Sequence, residues 1–239
     1  MMINSYVHVT KFIELENNKL LHRTGYFEIN KDLEKSVELE NISFKYYGSD
    51  NFIFENLNLE ISKQKHTVIT GPNGSGKSTL LGIIAKVFYP QEGNIKIDSE
   101  KIGYVGVTPL ILNSTLRENL LYGNEIDIKD SDIEKYLIDF ELFNSNEKTL
   151  DTIVSSKTLS SGQMQKIAFI RSLLANCEIL LLDESTSNLD AETKNLIFNI
   201  LSKKEITIIN STHNHEDFNF DTHIKIKYLN DKRVVEFVE

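Results

Sequence analysis

The stretch Gly71-Pro72-Asn73-Gly74-Ser75-Gly76-Lys77-Ser78-Thr79 constrains this 239-residue chain more than any other. It satisfies the G-x-x-x-x-G-K-[ST] pattern. A β-branched run at 67–70 precedes it and an apolar, helix-like run at 80–88 follows, which is the strand, loop and helix context the pattern requires. A phosphate chain needs several donors within a small volume. Glycines at 71, 74 and 76 let backbone N–H groups approach without a Cβ in the way, and the N-terminus of a helix starting near Lys77 adds positive potential. In this geometry Lys77 reaches the β- and γ-phosphates and Ser78 ligates Mg²⁺, with Asn73, Ser75 and Thr79 completing the cradle. The bland alternative, a glycine-rich turn with a solvated lysine, does not account for the flanking strand and helix.

Composition narrows the remaining possibilities. The chain is long enough for a substantial core, as one large α/β domain or two lobes. A net charge of −9 and a pI near 5.3 set the whole-molecule field against nucleic acid, which is not an expected partner. Cys177 is the single cysteine, so there is no internal disulfide framework, and it reads as a small core residue near a helix end. The first residues lack a basic start followed by an apolar run, and no apolar stretch approaches the length of a membrane span. This chain by itself is not expected to cross a membrane.

Residues 1–35 are mixed in character, with an amphipathic piece around 7–15 and a charged piece at 28–35. Residues 37–40 alternate as a half-buried strand, but Ile42, Phe44 and Tyr46 fall on the opposite parity, which predicts a bulge near Glu40 and Asn41. A turn at 47–51 and a returning strand at 52–61 make an antiparallel sheet ahead of the phosphate loop. Short strands follow at 94–98 and 102–107, then a capped helix at 114–122 and helical periodicity through Ile133, Tyr136, Leu137 and Phe140. This middle portion reads as mostly helix without strands. Strands return at 179–182, 207–209, 224–228 and 234–238, with helices at 163–175 and 191–201 between them. That alternation implies a parallel sheet with crossovers.

The strand at 179–182 ends in Asp183 and Glu184, as expected where a buried parallel strand emerges at a nucleotide crevice. Asp183 is placed to hold Mg²⁺ through water, and Glu184 to act as general base on an attacking water. Capping of the next helix is the structural alternative for this pair. Upstream lies Leu159-Ser160-Ser161-Gly162-Gln163; downstream come Ser187-Asn188-Leu189-Asp190 and a strand ending in Thr212-His213. Over residues 36–239 these motifs, in this order, resemble the nucleotide-binding domain of ATP-binding cassette (ABC) transporters. The resemblance implies a P-loop NTPase core, an antiparallel β subdomain and a helical subdomain at about 108–165. It implies ATP and Mg²⁺ as ligands, with Tyr46 stacking on adenine and His213 contacting the γ-phosphate. Ser160, Ser161, Gly162, Gln163 and Asp190 would face ATP bound to a second copy of the domain, packed head to tail.

The run Thr115-Leu116-Arg117-Glu118-Asn119-Leu120 resembles the exporter branch, whose members usually carry a membrane domain on the same polypeptide. The resemblance therefore implies an export ATPase at the cytoplasmic face of a membrane, with residues 1–35 as a connector from a preceding membrane domain. A soluble ABC ATPase working in assembly or signalling, or a slow ATP-dependent clamp, are the rival readings. Three departures from the family pattern stand out. Val107 occupies the place of the glutamine in the usual Tyr-Val-Pro-Gln segment, so side-chain ligation of Mg²⁺ is lost there, and Thr108 is the nearest substitute. The segment 151–159 lacks the Gly-Glu-x-Gly element, and Ser161 stands in place of a signature glycine.

Overall fold

A computed structural model describes residues 25–124, 127–143, 149–187, 189–214, 216, 219–229 and 232–238. The amphipathic piece expected at 7–15 lies outside them. The described chain opens with β1 (Tyr26–Ile29), β2 (Lys35–Phe44), β3 (Phe54–Ser62) and β4 (His66–Thr70), followed by α1 (Lys77–Ile84), β5 (Glu92–Ile97) and β6 (Ile102–Val105). The middle holds β7 (Ser114–Thr115), α2 (Leu116–Leu121), α3 (Asp130–Asp139), β8 (Ile153–Val154) and α4 (Ser161–Leu174). It closes with β9 (Ile179–Asp183), α5 (Ala191–Leu201), β10 (Thr207–Ser211), β11 (Thr222–Leu229) and β12 (Lys232–Val238).

Two sheets organise these elements. One has four strands in the order β1-β5-β2-β3, where β1 runs parallel to β5 and the remaining pairs are antiparallel. The parity break along β2 is a true bulge: its register to β3 shifts between Leu39 and Ile42, and Asn41 sits at φ 54°. The second sheet has six strands in the order β12-β11-β4-β10-β9-β6, parallel except for the terminal β11–β12 hairpin. The middle portion departs from the strand-free reading, because β7 and β8 pair as a short antiparallel ladder. That ladder is too brief to leave a period-2 signal in the sequence.

Strand β9 shows why the large sheet is central. All five of its residues are buried, with Ile179 and Leu181 packing toward the four-stranded sheet and Leu180 and Leu182 toward α4 and α5. Both faces are apolar, as a parallel strand between two layers requires. Helix α1 lies in the first of these layers, with Leu80, Leu81, Ile83 and Ile84 all fully buried. At roughly 1.5–3 kcal/mol for each such side chain, that burial contributes about 6–12 kcal/mol. The helix end that carries the phosphate loop is therefore fixed between the sheets. Cys177 is buried as expected, and burial pushes its thiol up to about 11.

Candidate functional site

The parallel strands β4, β9 and β10 place their C-terminal ends side by side, with Ile69 and Asp183 both in register with Ser211. The loop after β4 wraps the Lys77 side chain, which is 5 % exposed. Its ammonium donates to Gly71 O at 3.0 Å and Pro72 O at 3.3 Å, and lies 3.7 Å from Glu184 Oε1. This lysine is a nearly desolvated cation held by two backbone carbonyls, with the Glu184 carboxylate within ion-pair distance.

The next contacts join the loop to the end of β9. Ser78 Oγ donates to Asp183 Oδ1 at 3.0 Å, and the Tyr104 hydroxyl donates to Asp183 Oδ2 at 2.9 Å. A hydroxyl beside a carboxylate is a hard-oxygen donor pair of the kind Mg²⁺ takes, usually with waters and substrate phosphates filling its other positions. The residues therefore fit the ion expected from the sequence. Burial, together with the Asp183 carboxylate, drives the Tyr104 hydroxyl far above the ordinary tyrosine range, so it stays a donor across physiological pH.

Glu184 sits at φ 50°, in the left-handed region, a conformation that costs about 1–3 kcal/mol for a residue with a side chain. Its backbone is held there at both ends: its N–H donates to Ser211 O at 2.9 Å, and its carbonyl accepts from the N–H and hydroxyl of Ser187. The sharp turn brings the Glu184 carboxylate, Oε1, to 2.9 Å from Nε2 of His213, just past the end of β10. Asp183 and Glu184 do not cap the following helix. Asp190 does, accepting from Thr193 N at 2.8 Å, a bond that keeps its carboxyl below the usual carboxylate range.

Tyr46 lies at the rim of the loop. Its hydroxyl is 2.7 Å from Thr79 Oγ1, and its ring meets Phe44 and Phe88 edge-on at 5.2 and 5.5 Å while remaining 41 % exposed. Thr79 itself is buried on α1. The neighbouring Tyr47 is more exposed and stands farther along the turn. Ser160 caps α4 in a capping box, its hydroxyl accepting from Gln163 N while Gln163 Oε1 accepts from Ser160 N. Ser161 is exposed, and a Cβ added to Gly162 would meet nothing closer than 3.9 Å. Among the described residues no contact demands a glycine at 162.

The structure thus brings Lys77, Ser78, Asp183, Glu184 and His213 together, with Gly71, Asn73, Gly74, Ser75 and Gly76 forming the loop around them and Tyr46 and Thr79 at its edge. It leaves Ser160–Gln163 and Asp190 outside that hydrogen-bonded group. His215, an alternative metal partner for His213, lies outside the described residues, and no cluster of three His, Cys, Asp or Glu suited to a metal occurs among them.

Sequence reasoning missed two residues here. Tyr104 has its signal in the alternation of β6, which puts a hydroxyl-tipped side chain near the C-terminal end of a strand paired with β9. Gln165, 3 % exposed on the buried face of α4, donates to Gly106 O at 3.1 Å and Val107 O at 2.9 Å. It secures the segment that carries Val107. Val107 and Thr108 are both exposed, and the polar group that reaches Asp183 from this segment is Tyr104.

Comparison with known proteins agrees with this geometry. The sequence profile of the ABC transporter family matches residues 54–187, more than half of the chain. The chain belongs to the ABC transporter family. Among curated relatives, the alpha-factor-transporting ATPase of Saccharomyces cerevisiae is 30% identical over 245 residues, covering 96% of this chain and 19% of that protein. The mating factor M secretion protein mam1 of Schizosaccharomyces pombe is 34% identical over 210 residues, covering 79% of this chain and 15% of its own length. The chain thus spans about a fifth or less of the curated ABC relatives it matches. A bacterial Atm1-family ABC exporter solved with ATP bound shares the fold, at a TM-score of 0.75 and 24% identity over 86% of this chain and 39% of that one.

Proposed function

We propose that this ABC domain binds and hydrolyses Mg·ATP and that two copies, closing head to tail on two nucleotides, drive a transmembrane domain that exports a substrate. The observation that carries the reading is the continuous contact chain from Lys77 through Glu184 to His213, beside the Ser78–Asp183 pair, at the ends of three adjacent parallel strands. The alpha-factor transporter and mam1 are named for transport and secretion, which supports export over assembly or signalling. No helix of the described residues is long and apolar enough to cross a membrane. In this reading a separate membrane-spanning domain is the partner, and the present domain works at its cytoplasmic face.

In this reading Tyr46 offers its exposed ring to adenine, and the loop from Gly71 to Thr79 takes the phosphates. Lys77 exchanges its two backbone carbonyls for β- and γ-phosphate oxygens. Ser78 and Asp183 would hold Mg²⁺, which when bound neutralises charge on those oxygens. Glu184 takes the proton of the attacking water, and its strained backbone fixes the carboxylate where that proton is released. His213 orients Glu184 through the Oε1 contact and reaches toward the γ-phosphate. Ser160, Ser161, Gly162, Gln163 and Asp190 close over the nucleotide of the second copy, using the positive end of α4.

The test is Glu184→Gln in the purified domain. Turnover is expected to fall at least about a hundredfold, the lower range for loss of a positioned general base, while ATP affinity is retained and an ATP-bound dimer accumulates on sizing. A variant that hydrolyses ATP at the normal rate would move the base to another residue, with His213 next in line.

A further inference from the structure

The C-terminal hairpin is absent from the phosphate-loop pattern, yet it borders that loop along its length. Strand β11 pairs with β4 as far as Lys225 and Thr70, and its later residues meet the loop at Gly71 and Gly74. His223 Nε2 lies 2.8 Å from Thr70 Oγ1. A Cβ on Gly71 would fall 2.7 Å from Ile226 O, so only glycine allows the two backbones to lie this close. The Tyr228 hydroxyl then donates to Gly74 O at 2.9 Å.

The same carbonyl accepts a second bond, from Arg233 Nη2 at 3.2 Å, while Arg233 Nη1 donates to Phe52 O at 3.3 Å. Tyr228 and Arg233 are direct partners across the β11–β12 ladder, and the guanidinium lies 5.3 Å over the tyrosine ring. Lys232, next along β12, pairs with Glu55 on β3. The hairpin is thereby tied to the loop and to the strand in front of it, and one of the two donors on Gly74 is a charged group, the stronger kind of hydrogen bond.

Peptide planarity gives these bonds a consequence inside the loop. The C=O and N–H of a trans peptide point in opposite directions, so drawing Gly74 O out toward the hairpin turns the Ser75 N–H inward. There it meets Pro72 O at 3.1 Å. That bond closes the turn from Pro72 to Ser75, the backbone from which the following N–H groups of the loop project toward a phosphate.

We propose that Tyr228 and Arg233 are positioning residues for the nucleotide: they hold the Gly74–Ser75 peptide so that the loop's N–H groups face the phosphates, which makes the C-terminal hairpin part of the nucleotide site. This rests on the reading of residues 71–79 as a phosphate cradle. Tyr228→Phe removes only the hydroxyl and keeps the ring beneath the guanidinium. Arg233→Lys keeps the charge and loses the fork that bridges Gly74 and Phe52.

The experiment titrates the purified chain, both variants and Lys77→Ala with MgATP, and records thermal unfolding without nucleotide. Each hairpin variant is expected to bind MgATP about three- to tenfold more weakly, the range for one lost hydrogen bond, with KM raised more than kcat is lowered. Nucleotide-free unfolding should stay within about 2 °C of the parent. Unchanged affinity in both variants, or an affinity loss matched by an equal loss of nucleotide-free stability, overturns the proposal. If the parent and Lys77→Ala bind alike, the phosphate-cradle reading falls with it; if they differ and the hairpin variants bind as the parent does, only the hairpin's role is refuted.

Discussion

The two ends of the candidate site are built by opposite rules. At the strand ends the charged groups are tied across long sequence distances: Lys77 to Glu184, Asp183 to Ser78 and Tyr104, Glu184 to His213. At the N-termini of α4 and α5, Ser160 and Asp190 satisfy the first turn of their own helices, Ser161 is exposed, and Gly162 has open space around it. The first region is a set of groups that orient one another within one chain. The second is a surface already capped within its own helices, whose small residues and positive helix ends suit an anion arriving from outside. A division of this kind is what a shared site requires: one copy supplies the chemistry and the other supplies the cover.

Four perturbations sharpen that contrast, the largest first. Lys77→Ala removes the cation of the loop, and ATP binding is expected to be lost in a direct titration; normal affinity would remove the strand-end cluster from nucleotide binding altogether. Glu184→Gln, described above, should leave binding and stop turnover. Tyr104→Phe frees one oxygen of Asp183 from its outer-sphere partner, and the Mg²⁺ concentration needed for half-maximal turnover should rise about tenfold, the low end for losing such a support. An unchanged Mg²⁺ dependence would make the Tyr104 contact incidental. The smallest effect is Val107→Gln: ATP affinity should stay within a few-fold while turnover rises, because the added polar group acts where charge develops during reaction. Turnover that stays level or drops would mean that Tyr104 or another group already serves that step.

How much of this was legible in the sequence follows from the range of the interactions. The phosphate loop, the Asp183–Glu184 strand end and the bulge near Asn41 are written locally, in glycine spacing, an apolar run and a change of parity. The helix at Ala191–Leu201 was read with its observed bounds because Asp190 caps it from the adjacent position. Tyr104, Gln165, Tyr228 and Arg233 were not read, and all four act through contacts spanning roughly sixty residues or more. A tyrosine on an alternating strand or a glutamine on the buried face of a helix carries no local mark of its target. The β7–β8 ladder escaped for a different reason, since two residues are too few for a periodicity.

The shared-site account is tested most directly by mixing two defective copies. Lys77→Ala spoils the strand-end cluster and leaves α4 intact. Gly162→Glu leaves that cluster intact and sets a carboxylate on the α4 face, where the space around Gly162 and the acid-tolerant first turn let the chain fold normally. Each variant alone should hydrolyse ATP far more slowly than the parent. In a mixture, heterodimers pair the sound cluster of one copy with the sound α4 of the other, so turnover should rise well above the sum of the two separate rates. A mixture that shows only that sum, with both variants folded and their heterodimer present on sizing with ATP, would contradict the account.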